Sequence, residues 1–303
     1  MPVPASDRIV RRCLDVDGRK VSYLTVDNAS TAATLLLIHG AGVSARTWVN
    51  QLRGLSDVLR PIAIDLPGHR ESDPVSDPTL ATYADTAYQA LRQLATGPAF
   101  VAGHSLGGAV AQVLVTRHPE MVRGLVLVST CARVPPEDGS QRLLGFVPAP
   151  FRRAVFLWAV RKTLLAPSAS TNAIGLTLEE IRSCRPETIQ SDTAIGRAMD
   201  LASTAQQLRV PTLILCGGRD RLTAPGLSQQ LCGMIAGSRL QIVPGAGHML
   251  PLEAPEVLNQ AIREFVASVT HEAVTPRRPG LLRCLAERFA HWPPWRAWRQ
   301  HFR

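Results

Sequence analysis

The 303-residue sequence has no apolar run that approaches the roughly 18 residues needed to cross a bilayer, which argues against a membrane-spanning helix. Its first residues contain no basic stretch followed by an apolar one, so a cleaved secretory signal is not expected. Both absences favour a cytoplasmic location for the protein.

Cysteine is sparse: the six residues are scattered, with no pair in CxxC spacing and no matching pair of histidines. This arrangement argues against the disulfide framework of a small secreted domain and against the usual zinc sites. We therefore expect a protein of a reducing compartment that works without a metal or cofactor.

Acidic residues are outnumbered, 24 to 33, and the excess of positive charge is concentrated at one end. Residues 271–303 contain seven arginines and two glutamates, together with Trp292, Trp295 and Trp298. Arginine interleaved with tryptophan suits peripheral contact with an anionic membrane surface; the alternative is a tail that docks on the body or has no fixed structure. No nucleic-acid recognition module accompanies the charge, so no nucleic-acid partner is expected.

The rest of the chain alternates between two patterns. Segments with helical spacing lie between six short apolar runs that predict strands buried on both faces, at residues 35–38, 62–64, 100–102, 125–128, 212–215 and 240–243. A hairpin over residues 9–26, turning at Asp17-Gly18, precedes them. The alternation predicts an α/β fold with a mostly parallel, doubly wound sheet, which binds ligands at the carboxyl ends of its strands.

The alternation is interrupted over about residues 131–206, where prolines break apolar, partly helical stretches and predict an insertion. Its first part carries Phe146, Phe151, Phe156 and Trp158 among basic residues. This composition favours a helical lid over the site rather than an ordinary helical excursion. An apolar lid indicates an acyl or aromatic substrate.

Ser105 lies in the segment Gly103-His104-Ser105-Leu106-Gly107-Gly108, between a predicted strand and a predicted helix. A serine on such a sharp turn needs small neighbours two residues before and after it, because the backbone is strained and the helix packs close. The turn exposes the serine hydroxyl above the sheet, next to the positive end of the helix. Ser105 is therefore the predicted nucleophile.

A nucleophilic serine needs a base and a carboxylate that orients the base. His248 follows one predicted strand in a glycine-rich loop, and Asp220 follows another. We predict His248 as the base and Asp220 as the acid. Glu137 and Asp138, after an earlier strand, are the alternative acids.

In the chain order serine, acid, histidine, these residues resemble the catalytic triad of an α/β-hydrolase-fold serine hydrolase, over about residues 9–269. The resemblance implies an α/β-hydrolase domain over 1–270, with the lid insertion at about 131–206, followed by the basic tail at 271–303. It also implies a small-molecule ester as substrate. Sequence alone leaves the oligomeric state open.

Two loops carry the resemblance further. The segment Leu37-Ile38-His39-Gly40-Ala41-Gly42 resembles the family's oxyanion loop, so the backbone N–H groups of Ala41 and Leu106 would form the oxyanion hole. The segment Asp65-Leu66-Pro67-Gly68-His69 resembles a family turn that usually continues with glycine, where this chain has Arg70. The resemblance implies structural roles for the histidines of both loops.

The predicted function is hydrolysis of a carboxylic ester of an apolar acyl or aromatic group through an acyl-enzyme. A serine at this turn argues against the family branches that need a carboxylate nucleophile, the haloalkane dehalogenases and epoxide hydrolases. Lactonase, thioesterase and C–C bond hydrolase activities remain open. The alternative from another class is a receptor-like protein that binds a ligand and hydrolyses it slowly.

Overall fold

A computed structural model of the chain describes residues 8–27, 33–134 and 149–274. Eight strands form one sheet: β1 Ile9–Val16, β2 Arg19–Val26, β3 Thr34–Ile38, β4 Arg60–Ile64, β5 Ala99–His104, β6 Val122–Val128, β7 Thr212–Gly217 and β8 Arg239–Val243. Their spatial order is β1-β2-β4-β3-β5-β6-β7-β8. The hairpin β1–β2 joins β4 antiparallel, and every pair from β4 to β8 is parallel. The predicted α/β architecture is confirmed.

Burial in the sheet follows strand position. Every residue of β3, β5 and β7 is buried, as the continuous apolar runs predicted for strands covered on both faces. The same prediction is wrong for β8, whose Gln241 and Ile242 are exposed. This strand pairs with β7 on one side and forms the edge of the sheet, so its outer positions meet solvent.

Helices cover the sheet and connect its strands. Outside the interval between β6 and β7 they are α1 Val49–Leu55, α2 Leu80–Leu94, α3 Leu106–Arg117, α8 Pro225–Met234, α9 Leu250–Glu253 and α10 Pro255–Val274. A short 3-10 turn, Ala45–Trp48, leads into α1, and Trp48 is fully buried, as expected of a core residue. No helix in the described ranges combines the length and apolar composition that crossing a bilayer requires.

Four helices occupy the interval where the sequence predicted an insertion: α4 Ala149–Leu164, α5 Thr171–Ser183, α6 Pro186–Ala198 and α7 Ala202–Gln207. We call them the inserted helices. Their role as a lid stays a prediction. Trp158 of α4 is 62% exposed, Phe146 lies outside the described residues, and so do the side chains of Phe151 and Phe156.

The chain divides into two units between Val266 and Ala267. The sheet and the inserted helices belong to the first unit. Past Val274 the second unit lies outside the described residues, so the predicted boundary at residue 270 and the predicted contacts of the tail stay predictions.

Arg70, at the position where the family resemblance expects glycine, has a positive φ. Its φ of +47° lies in the left-handed region, which costs a residue with a Cβ about 1–2 kcal/mol. The guanidinium pairs with Glu180 of α5, whose side chain is 1% exposed. Glu180 also accepts hydrogen bonds from the Ser44 hydroxyl and from Arg46, at 3.1 Å. The strained turn therefore presents a cation to a buried carboxylate.

We expect Arg70→Gly to destabilise the protein, although glycine relieves the positive φ. The change leaves Glu180 with one cation instead of two, which costs about 1–3 kcal/mol, and glycine adds about 0.4–1 kcal/mol by raising the entropy of the unfolded chain; together these exceed the relief of the positive φ. Urea unfolding measures the difference. In the double variant Arg70→Gly/Glu180→Gln the loss should be smaller than the sum of the two single losses. An Arg70→Gly protein at least as stable as wild type would contradict this account.

Candidate active site

Ser105 occupies a strained turn between β5 and α3. Its backbone has φ 53° and ψ −120°, a conformation that L-residues rarely adopt and that costs on the order of 1–3 kcal/mol. The Ser105 amide donates to the carbonyl of Val128 at 2.9 Å, which ties the turn to the end of β6. The serine remains partly accessible among buried neighbours.

Glycines on both sides make this turn sterically feasible. A Cβ on Gly103 would lie 2.2 Å from the Gly107 carbonyl oxygen, and one on Gly107 would lie 2.3 Å from the carbonyl oxygen of Ile38. Both distances are far below van der Waals contact. The close packing of α3 against the turn and against β3 therefore requires the small residues that the sequence has there.

The loop after β3 lies directly beside Ser105, because β3 and β5 are neighbours in the sheet. A Cβ on Gly40 would be 3.1 Å from the Ser105 Cβ. The loop residue Ala41 is exposed, and Leu106 begins α3, so its N–H belongs to the first turn, where donors have no partner within the helix. The two predicted oxyanion donors thus lie on segments that flank the serine.

Asp220 and His248, the predicted acid and base, lie together because β7 and β8 are adjacent and parallel. His248 Nδ1 lies 2.9 Å from Asp220 Oδ2, and both side chains are almost fully buried. The two loops are also joined through their backbones: the Arg219 amide donates to the Ala246 carbonyl at 2.8 Å. A Cβ on Gly217 would lie 2.1 Å from the Gly247 oxygen, so this approach depends on glycine.

The Asp220 carboxylate has an ample set of donors. Its Oδ1 accepts from the amides of Leu222 and Thr223 at 2.9 and 2.8 Å, and its Oδ2 accepts from the Thr223 hydroxyl at 2.8 Å. Burial raises the pKa of this carboxyl, but His248 and these hydrogen bonds outweigh burial and hold the pKa below its usual value. Asp220 is therefore an ionised acceptor for the imidazole.

The loop that carries His248 is held by the inserted helices and by Glu253. The Leu164 carbonyl at the end of α4 accepts from the His248 amide at 2.9 Å. Glu253 accepts from the amides of Gly247 and Met249, both at 3.0 Å. Burial raises the pKa of the Glu253 carboxyl, although these hydrogen bonds oppose the shift.

The other histidines of the motifs have structural contacts, which is the role predicted for His39 and His69. His104 donates from Nε2 to the His248 carbonyl at 2.9 Å, and burial lowers its pKa to about 3, so it is neutral. His39 accepts the Leu66 amide at Nε2, 3.0 Å away, and burial likewise lowers its pKa to about 3. His69 is buried beside Asp192 of α6, at 3.0 Å.

Sequence reasoning missed three polar residues of this region: Thr223, Glu253 and Asp192. Thr223 had a local signal, since an aspartate followed three residues later by threonine often closes a turn through its side chain. Glu253 holds nearby loop residues but also accepts from the Ala166 amide, 87 residues away, and Asp192 acts across 150 residues of sequence. The alternative acids, Glu137 and Asp138, lie outside the described residues. Within the described ranges, no cluster of histidine, cysteine, aspartate or glutamate could hold a metal ion.

Comparison with known proteins supports this architecture. A model of the alpha/beta hydrolase family matches residues 35–261. A pimeloyl-[acyl-carrier protein] methyl ester esterase of Neisseria meningitidis is 31% identical over 246 residues, which is 78% of this chain and 77% of the relative. A 2-(acetamidomethylene)succinate hydrolase of Mesorhizobium japonicum is 26% identical, over 86% and 97% of the two chains.

Among solved structures, a thermophilic esterase superposes with a TM-score of 0.74 and 32% sequence identity, covering 86% of this chain and 99% of its own. The chain therefore belongs to the alpha/beta hydrolase family, and the predicted ester-acting hydrolase is confirmed at the level of that family.

Proposed function

We propose that the protein is a serine esterase in which Ser105 attacks the ester carbonyl. His248 accepts the serine proton, delivers it to the leaving alcohol and then activates the water that releases the acid. Asp220 holds the imidazole in the tautomer that can accept at Nε2, and the amides of Ala41 and Leu106 stabilise the oxyanion.

The observation that carries this proposal is the buried pair of His248 and Asp220, joined at 2.9 Å, whose loop is hydrogen-bonded to His104, the residue before the strained Ser105. The carboxylate is ionised and accepts from His248 Nδ1, which leaves His248 Nε2 as the atom that takes the serine proton. A strained serine at the start of a helix also places a developing negative charge at the helix's positive end. These features support acyl transfer with a stabilised oxyanion.

The substrate that we propose is a small carboxylic ester with an apolar acyl or aromatic part. The similar proteins include a pimeloyl-[acyl-carrier protein] methyl ester esterase and a thermophilic esterase, and these names support an ester as the bond that is cleaved. The apolar part is proposed from the aromatic residues of the insertion. Lactones, thioesters and C–C bonds are the substrates of the competing activities, and matched lactones and thioesters enter the tests below.

Ser105→Ala should abolish turnover of a p-nitrophenyl ester, because the oxyanion hole and substrate binding alone supply only a small residual catalysis. Release of p-nitrophenol measures it. Ser56→Ala, which changes a half-buried serine directly after α1, serves as the control and should turn over normally. Undiminished turnover by Ser105→Ala would overturn the mechanism, and turnover equally low in wild type would favour a binding protein.

Asp220→Asn should lower kcat by about 10⁴-fold, because an amide in place of the carboxylate stabilises the wrong imidazole tautomer. The control is Asp200→Asn, since Asp200 is an exposed carboxylate that pairs with Arg133. Steady-state kinetics of both variants on the same ester decide the point. A loss of only a few fold in Asp220→Asn would move the acid to Glu137 or Asp138.

A series of p-nitrophenyl esters with acyl chains of increasing length should show kcat/KM rising with the apolar area of the acyl group, by about 0.8 kcal/mol per buried CH₂ at most. Lactones and acyl thioesters with matched acyl groups complete the set. A matched lactone or thioester turned over faster than the ester would replace the proposed ester substrate.

A further inference from the structure

Asp192 is a carboxylate that an inserted helix places against the loop after β3. It lies on α6, and its side chain is fully buried. Its Oδ2 accepts from the Gly42 amide at 2.8 Å and lies 3.0 Å from His69 Nε2. Its Oδ1 accepts from the Tyr83 hydroxyl at 3.0 Å. One side chain of α6 thus binds three separate parts of the core.

The Gly42 amide is next to the proposed oxyanion donor. The Ala41 N–H belongs to the same peptide plane as the Gly40 carbonyl, and that carbonyl accepts from His39 Nδ1 at 2.8 Å. His39 donates at Nδ1 because its Nε2 already accepts the Leu66 amide. The following peptide plane carries the Gly42 N–H, which Asp192 holds. The two planes on either side of the Ala41 Cα are therefore both fixed by side chains.

Burying the Asp192 carboxylate costs free energy, so its presence at this position indicates that its hydrogen bonds have a function. Removing a carboxylate from water is unfavourable, and a well-packed apolar residue at such a position is often neutral or stabilising. In the described part of the chain, the contacts of Asp192 are made to a backbone amide, an imidazole and a phenol, and none is made to arginine or lysine.

The helix that carries Asp192 also packs on the same loop. A Cβ on Gly42 would lie 3.5 Å from Ile189 Cγ1 of α6, and the φ of Gly42 is +65°. Thr188 of α6 donates to the Gly68 carbonyl, at 3.1 Å, in the loop after β4. The position of α6 and the conformation of the loop after β3 are therefore coupled.

We propose that Asp192 is a positioning residue, which orients the Ala41 N–H of the oxyanion hole by accepting the Gly42 N–H. This inference rests on the proposed function and adds that the inserted helices take part in catalysis through the backbone of the oxyanion loop. A rotation about the Ala41 backbone would turn the donor away from the oxyanion, and displacements of about 1 Å in an active site can cost roughly 10²-fold in rate.

The test compares two substitutions. Asp192→Ala removes the acceptor, and kcat should fall by roughly 10- to 100-fold while KM changes little, because the oxyanion forms only along the reaction. Asp192→Asn keeps one oxygen for the Gly42 N–H, so kcat should stay within about threefold of wild type. On a logarithmic scale this is less than half of a tenfold change in rate. Rates are taken per active site, counted by reaction with a fluorophosphonate, so that misfolded protein does not enter kcat.

Two further variants keep the test decisive. Asp192→Leu supplies bulk without an acceptor, and should reproduce the Asp192→Ala loss of kcat if the alanine variant does not fold. Tyr83→Phe removes a hydrogen bond to the same carboxylate without touching the Gly42 contact. It should lower the unfolding midpoint and leave kcat per active site within about threefold of wild type.

Three results would overturn the proposal: an unchanged kcat in Asp192→Ala or Asp192→Leu, an equal loss in Asp192→Asn, or an equal loss in Tyr83→Phe. The proposed function is judged separately, by Ser105→Ala on the same substrate. If that variant is as active as wild type, the proposed nucleophile fails whatever the Asp192 series shows.

Discussion

The left-handed backbone at Ser105 is the constraint on which the site depends. A strand that enters a helix without an intervening loop has to reverse direction within one residue, and the φ of +53° achieves this. The reversal is possible because Gly103 and Gly107 leave room where a Cβ would overlap backbone atoms. The same reversal aims the start of α3 at the serine, and the loop after the neighbouring β3 is so close that a Cβ on Gly40 would lie 3.1 Å from the Ser105 Cβ.

Parallel strand order then assembles the remaining groups. The loops after β3, β5, β7 and β8 all leave the same edge of the sheet, so residues distant in sequence meet there. Hydrogen bonds between the loops, such as Arg219 to Ala246, fix the pair of Asp220 and His248. The inserted helices supply further contacts: the Leu164 carbonyl holds the His248 amide, and Asp192 holds the Gly42 amide.

Much of this architecture follows from local sequence, and the exceptions have physical causes. The serine turn and the strands have short-range signals, namely glycine spacing and apolar runs, so their positions were predictable. The exposure of β8 was not, because an edge strand and a central strand can carry the same apolar run. Glu180 and Asp192 were not predictable either, since each pairs with loops more than a hundred residues away.

Arg70 shows both what local sequence predicts and what it does not. The sequence identified it as a departure from the family turn, and the structure shows that its φ is positive, in the region that favours glycine. Its partner, Glu180, lies 110 residues further along the chain on an inserted helix, and no local pattern indicates that pairing.

The proposed mechanism requires that Ser105 becomes acylated during turnover. The most direct measurement mixes the full chain with a fluorophosphonate or a slowly released acyl ester, digests the protein, and maps the modified residue by mass spectrometry. We expect modification of the peptide that contains Ser105, at one site per chain, with much slower labelling in Asp220→Asn. Modification of another residue, or labelling of Ser105 that is equally fast in Asp220→Asn, would contradict the mechanism.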